Sequence, residues 1–389
     1  MGIKMLFKHC SLKTLEVTNL SGRIAELPLH SGKAPQWLVS RMIKLSKAIV
    51  KLLIEEYGKE EFLRRIADPY WFQAFGCVLG YDWHSSGVTT VVTGVLKTAL
   101  EQEDLGIAIC GGKGKKALAT PLEIEIISEK YGFSESKIRE LKRASFLAAK
   151  VDNSALQDGY SLYHHAIFIT EDGSWSVVQQ GMNPETKYAR RYHWLKEDLR
   201  SFVVEPHKAI VGKKERAVLN MVAKESEEVR NISVDLVRED PRKLASLFSR
   251  ISGWETLDTW IGTHIGYRVR NILKYLRMPW RVNWRALKEA YEMQPTNYEE
   301  LISIKGLGPS TIRALALISS LVYGKEPSWK DPVKYSFAFG GKDGVPFPVR
   351  IKDMDRAIEL LEESIKMAEI GEREKLKALK RLGILIEKR

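Results

Sequence analysis

Tyr163-His164-His165-Ala166-Ile167-Phe168-Ile169-Thr170, Glu171-Asp172-Gly173-Ser174 and Trp175-Ser176-Val177-Val178-Gln179-Gln180 follow one another in the middle of the chain. Two short runs rich in aromatic and β-branched residues flank a turn, and its Asp-Gly pair favours the positive backbone angles of a tight reversal. The stretch predicts a β-hairpin. The period of two puts His165, Ile167 and Ile169 on one strand face and His164, Ala166 and Phe168 on the other.

Outward from the hairpin the pattern is helical. After Pro35, the apolar residues Trp37, Leu38, Met42, Leu45 and Ile49 recur at spacings of three and four. Asp68-Pro69 marks a boundary, and residues 71–79 read as a buried aromatic helix. A Gly-rich stretch at 111–114 precedes Thr120-Pro121-Leu122-Glu123, which reads as a capped helix start with Pro at the first position and a capping-box Glu. Ser134 opens a helix to about Lys150, and from about Pro206 the chain reads helical to Tyr323. The expected fold is α+β and predominantly helical, with a small hairpin-containing α/β segment followed by a helical region. The expected divisions are a mainly helical 1–104, an α/β segment 105–205, a helical 206–350 and an amphipathic helical tail 351–389.

The 389 residues are 44% apolar and 28% charged, a globular composition of two or three domains' length. Net charge is +12, which favours a polyanionic partner. High Lys and Glu together, a thermophile-like balance, would also give a generally charged surface. Between residues 261 and 290, seven basic residues (Arg268, Arg270, Lys274, Arg277, Arg281, Arg285, Lys288) stand against Glu289, a net of +6 and half of the whole surplus. Cys10, Cys77 and Cys110 lack metal-ligand or disulfide spacing. No apolar run reaches a membrane span or a leader. A cytoplasmic protein with neither membrane nor disulfide-linked partners is expected.

A second stretch carries the functional expectation: Thr296-Asn297-Tyr298-Glu299-Glu300-Leu301-Ile302-Ser303-Ile304-Lys305-Gly306-Leu307-Gly308-Pro309-Ser310-Thr311-Ile312-Arg313-Ala314-Leu315. Thr296 with Glu299 reads as a capping box, and a helix is expected to end at Lys305. Gly306-Leu307-Gly308 makes a tight turn in which Leu307 packs inward. A second helix, from about Ser310, then points its first amides at a phosphate, beside Thr311 and with Lys305 and Arg313 adding charge. Such contacts read backbone and not sequence. The stretch resembles the helix-hairpin-helix of DNA-repair proteins, and double-stranded DNA is the partner this implies.

In the hairpin glycosylases it resembles, a catalytic Asp follows some twenty residues on, and Asp331 is the nearest match here at a stretched spacing. Bifunctional members carry a Lys where this chain has Ser310, which leaves out a Schiff-base route. Separately, Asp158, His164, His165 and Gln180, with Asp152 and Gln179 nearby, are candidates for a strand-cleavage site. A divalent metal is called for only in that case, and a hydrogen-bonded network stabilising a small sheet explains the same residues. Asp82-Trp83-His84-Ser85-Ser86-Gly87 reads more simply as a cap. Gly111-Gly112-Lys113-Gly114-Lys115-Lys116 lacks phosphate-loop spacing but could touch backbone phosphate.

Several stretches also resemble a largely archaeal family known as domain of unknown function 763: residues 27–35, Asp152 through His165, Gln179-Gln180-Gly181-Met182-Asn183, Tyr188-Ala189-Arg190-Arg191-Tyr192-His193-Trp194 and residues 336–344. This resemblance implies no activity. Within it, Arg190 and Arg191 among aromatics suit nucleic acid, and core packing would account for the aromatics equally. The expected function is a repair enzyme on damaged or branched DNA, by base excision or phosphodiester cleavage. The alternatives are a non-catalytic nucleic-acid-binding module and an RNA-processing protein.

Overall fold

The computed structural model describes residues 27–28, 35–80, 86–252, 277–279 and 281–333. The polar knot at 82–85, the basic positions Arg268, Arg270 and Lys274, the loop beyond Val333 and the tail lie outside them.

The hairpin is the centre of the molecule. Its strands are β4 (Ser161–Thr170) and β5 (Trp175–Asn183), preceded in the chain by β1 (Leu27–Pro28), β2 (Ile107–Lys113) and β3 (Leu156–Gln157). Strands β6 (Tyr188–Leu195), β7 (Ala209–Val211) and β8 (Leu219–Asn220) follow. The antiparallel sheet has the order β1-β6-β5-β4-β2, with β7 also on β6, while β3 pairs β8 apart from it.

Each face of the sheet is covered by helices. On one lie α1 (Gln36–Tyr57), α2 (Lys59–Ala67), α3 (Pro69–Val78) and α4 (Gly87–Glu101), joined in one apolar core with Ala166, Phe168, Val178 and Leu195. After β2 come α5 (Lys115–Leu118), α6 (Thr120–Tyr131) and α7 (Glu135–Lys150). Later come α8 (Glu227–Arg238), α9 (Pro241–Ser252), α10 (Trp284–Met293), α11 (Tyr298–Ser303) and α12 (Pro309–Tyr323). A second core joins side chains of α6 to α12 with Ile167, Ile169, Trp175, Val177, Tyr192 and Trp194. The alternation expected in β4 is therefore kept, but both of its sets are apolar because both faces are covered. The two cores cross the expected divisions at 104/105 and 205/206.

Some local expectations shift. The Gly-rich stretch at 111–114 begins inside β2, and the stretch 188–194, suited to nucleic acid or to core packing, lies within β6; both strands flank the hairpin. Gly111 is needed there: its φ is +99°, and a Cβ would collide with the His165 carbonyl oxygen. After Pro206 the chain pairs as β7 and β8 before α8 begins. Thr120 donates to the Ala117 carbonyl (2.8 Å). Glu123 does not close a capping box but takes the Gly111 amide (2.6 Å) and Lys97 (2.7 Å). Ser134 caps α7 as its side chain predicts, accepting from the Lys137 amide.

Candidate functional site

The two-glycine turn is built as its residues require. The cap lies one residue later than expected: Asn297 accepts from the Glu300 amide (2.9 Å), while Glu300 reaches back to the Thr296 amide and hydroxyl (2.7 and 2.9 Å). Asn caps at least as well as Thr, and Glu300 reaches back past the cap to the residue before it. α11 ends at Ser303 and α12 begins at Pro309, whose missing N–H costs nothing at a first helical position. Between them Leu307 is fully buried while Lys305 and Gly306 are exposed. Gly306 has φ +88°, and a Cβ there would sit 2.7 Å from Asn283 Nδ2.

The turn is braced from behind. Asn283 donates to the Gly306 carbonyl (3.1 Å), and its own amide donates to the Thr311 hydroxyl (3.2 Å). Gln157 of β3 donates to the Pro309 carbonyl (2.8 Å). Lys150 at the end of α7 reaches the Ile304 carbonyl (3.5 Å), and burial lowers its pKa from the usual lysine value. Ser310 and Arg313 are half-buried, and Thr311 is buried under the helix start.

The other candidate residues are buried, on both faces of the sheet. His164, Gln180 and Arg191 stand in one cross-strand row. Gln180 Nε2 donates to the Ser86 carbonyl (2.8 Å), and its amide also bonds Thr89 and Tyr163. Thr93 spends its hydroxyl proton on the Thr89 carbonyl (2.7 Å) and so accepts from His164 Nε2 at 3.0 Å. That leaves His164 Nδ1 a buried lone pair without a hydrogen bond. Burial drops the His164 pKa to about 3. Arg191 lies over the Phe72 ring (4.6 Å) and donates through Nε to His193 Nε2 (2.9 Å).

On the opposite face Asp152 and Asp158 organise two clusters. Asp152 enters from a single π-helical turn, Val151–Ala155, at the end of α7, a distortion that recurs at functional sites. Its carboxylate accepts from Gln179 Nε2 (2.6 Å), Trp194 Nε1 (3.0 Å) and His207 Nε2. Gln179 Oε1 takes the Nδ1 proton of His165 (2.8 Å), whose Nε2 accepts from Ser145 (2.8 Å). Asp158 accepts from Arg190 (2.9 Å), Tyr192 (2.7 Å) and the Tyr160 amide (3.0 Å). Asp331 binds Arg190 in two places (3.1 and 2.7 Å) and takes the Glu215 and Val333 amides (2.6 and 3.1 Å).

These contacts redirect several expectations. Arg190 and Arg191 are fully buried and point into the protein, so neither meets a phosphate as placed. The reason is that β6 is an inner strand of a sheet covered on both faces. Asp331 offers four acceptor positions and all are filled, so as placed it clamps the segment after α12 to the sheet. Asp158 joins Asp331 through Arg190. His164 joins Gln180, and His165 faces the other way, as the strand period requires.

A half-open cavity of about 220 Å³ lies beside the second cluster, lined among others by Glu205, His207, Asn220, Ser328, Lys330 and Asp331. His207 was missed in the sequence: 55 positions separate it from Asp152, and no local pattern marks it. Through Gln157, which pairs with Leu219 next to Asn220, this cavity is linked to the start of α12. Among the described residues no group of His, Cys, Asp and Glu is placed to hold a metal ion, and no helix is long and apolar enough to cross a membrane.

Fold and clusters together define an α+β protein with a two-sided antiparallel sheet, charge networks buried on it, and an exposed two-glycine turn at its C-terminal side. Residues 23–349 match the family described as "Protein of unknown function (DUF763)", and the chain belongs to that family. No curated protein and no solved structure matches it.

Proposed function

We propose that this protein binds nucleic acid, double-stranded DNA first, by seating a backbone phosphate on the turn between α11 and α12. The observation that carries the reading is the exposed Lys305-Gly306 pair held over buried Leu307 at the entrance to α12. A helix start favours an anion through its dipole and its first amides. Lys305 adds a charge beside the turn, and Lys150 adds another behind it. The nearby acids are engaged elsewhere, Glu299 with Arg143 and Glu300 with Thr296.

Binding should be independent of sequence and weaken as salt rises. In a titration at several salt concentrations, Lys305→Ala should flatten the plot of log K against log salt by about one unit, since each phosphate contact releases about one counterion. Gly306→Ala forces a side chain into the left-handed region and against Asn283. It should weaken every duplex about tenfold, the equivalent of about 1.4 kcal/mol. Tighter binding of single-stranded RNA than of duplex DNA would move the partner to RNA. Unchanged affinity and salt slope in both variants would end the reading.

A second reading keeps chemistry on damaged or branched DNA and moves it to the cavity, favoured by His207 at its wall with buried Asp152 bonded to it. A carboxylate that fixes an imidazole is the arrangement of a base and its orienter. Oligonucleotides carrying uracil, hypoxanthine, an abasic site or a flap, with and without chelator, test it. Turnover lost in His207→Gln with binding retained supports it, and no turnover on any substrate removes it.

A further inference from the structure

Two exposed aromatic rings stand beside the α11–α12 turn, each accompanied by cations and each fastened to the turn by a hydrogen bond. The first is Trp284, which opens α10 and is 39% exposed. Phe248 of α9 meets it edge-on (5.5 Å, 86°), a contact that holds the indole in place. The residue before it is Asn283, whose side chain donates to the Gly306 carbonyl and whose amide donates to Thr311. The backbone that carries the indole is therefore anchored to the turn itself. Arg281 and Arg285, either side of Trp284 in the chain, are exposed, and neither guanidinium is paired among the described residues.

The second ring is Phe146 of α7, which is 45% exposed. Lys150 Nζ lies 5.9 Å from its centroid, and the same ammonium reaches the Ile304 carbonyl. Ile304 and Gly306 are two residues apart, so both rings belong to the surroundings of one short turn. A lone exposed aromatic side chain is ordinary. Two of them, tied to an anion-binding turn and supplied with cations that no carboxylate satisfies, state what they meet. Contact with phosphate alone needs the cations and has no use for the rings. An intact duplex keeps the faces of its bases against one another, so a protein ring can stack only on a base that has lost its neighbour. Rings interleaved with positive charge are the arrangement that holds unpaired bases.

We propose that Trp284 and Phe146 stack the unpaired bases of a strand that runs on from the phosphate seated on the turn, which makes a junction between duplex and single strand the preferred partner. Arg281 and Arg285 meet the phosphates of that strand. The proposal rests on the reading of the turn as a phosphate seat and adds to it the kind of nucleic acid selected.

Anisotropy titrations of the full chain test it, with two labelled probes: a blunt duplex, and the same duplex carrying a single-stranded extension. The extended probe should bind about tenfold more tightly, the worth of one stacked base. A 2-aminopurine at its first unpaired position should lose fluorescence on binding as it stacks. Trp284→Ala should remove most of this preference and most of the quenching, while Trp284→Phe keeps both, since a phenyl ring also stacks. Phe146→Ala should lower the preference as well. Equal affinity of the native chain for the two probes overturns the proposal, as does a preference that Trp284→Ala leaves unchanged. If binding to both probes still weakens in Gly306→Ala, the phosphate seat survives that failure. A preference that needs Trp284 and is indifferent to Gly306→Ala and Lys305→Ala supports the stacking surface and removes the phosphate from the turn.

Discussion

Arg190→Met should destabilise the protein by about 3–5 kcal/mol, the usual penalty for removing one member of a buried ion network. The guanidinium is fully buried between Asp158 and Asp331, which are themselves buried, and it also donates to the Lys213 carbonyl (2.6 Å). It lies over Tyr160 at 4.6 Å. One side chain thus holds together the entry to β4, the centre of β6, the loop before β8 and the exit of α12. Burial pushes the Asp158 carboxyl up, an effect Arg190 and Tyr192 partly offset. Without Arg190, two carboxyl groups would face each other with no cation. Urea unfolding at neutral pH measures the loss. Arg190→Lys should recover only part of it, since a point charge cannot meet Asp331 in two places and Asp158 in a third. Replacing Arg190 with Met and both acids with Asn should be less damaging than Arg190→Met alone, because no unpaired charge remains. A loss under about 1 kcal/mol in Arg190→Met would mean that water reaches the cluster and that the network is not what joins these segments.

What could be read from the sequence was local. The hairpin at 163–180 and the two faces of β4 follow from a period of two and an Asp-Gly turn, signals contained in eighteen residues. The Ser134 cap and the two-glycine turn are equally local. What could not be read depended on distant partners. Arg190 and Arg191 look solvent-seeking because the acids that satisfy Arg190 lie 32 and 141 positions away. β2 looks like a loop because it ends in glycines, and the reason for Gly111 is a carbonyl of β4, far along the chain. Asp331 has roughly the spacing of a catalytic Asp from the turn, but the spacing is silent about the four donors that occupy its oxygens. His207 has no signal until the sheet brings Asp152 to it.

Acidification should unfold this protein well before its carboxylates titrate, because three imidazoles are held neutral inside it. Burial lowers the pKa of His164 to about 3, lowers that of His165, and drives that of His193 well below the ordinary value. The geometry agrees. His193 Nδ1 donates to the Ile66 carbonyl (3.1 Å), and its Nε2 lone pair accepts from Arg191, so a proton there would set two cations face to face. His164 has no acceptor at Nδ1 for a new proton. Because each folded pKa lies below the unfolded value of about 6.5, the unfolded chain takes up protons that the folded chain refuses. Stability is thus complete above about pH 6.5 and is lost as pH falls toward the folded values. Each such proton costs about 1.4 kcal/mol for every pH unit between the unfolded and the folded pKa, and for His164 that window runs from about 6.5 down to about 3. Asp158 opposes the trend, since a raised folded pKa lets the native state gain a proton first, but it is one group against three. Urea midpoints at pH 7, 6 and 5 should fall steeply over the last step, and His164→Gln should make that fall shallower. A midpoint that holds constant from pH 7 to pH 5 would show that these imidazoles are open to protons, and with that the closed, two-sided packing of the sheet would fail.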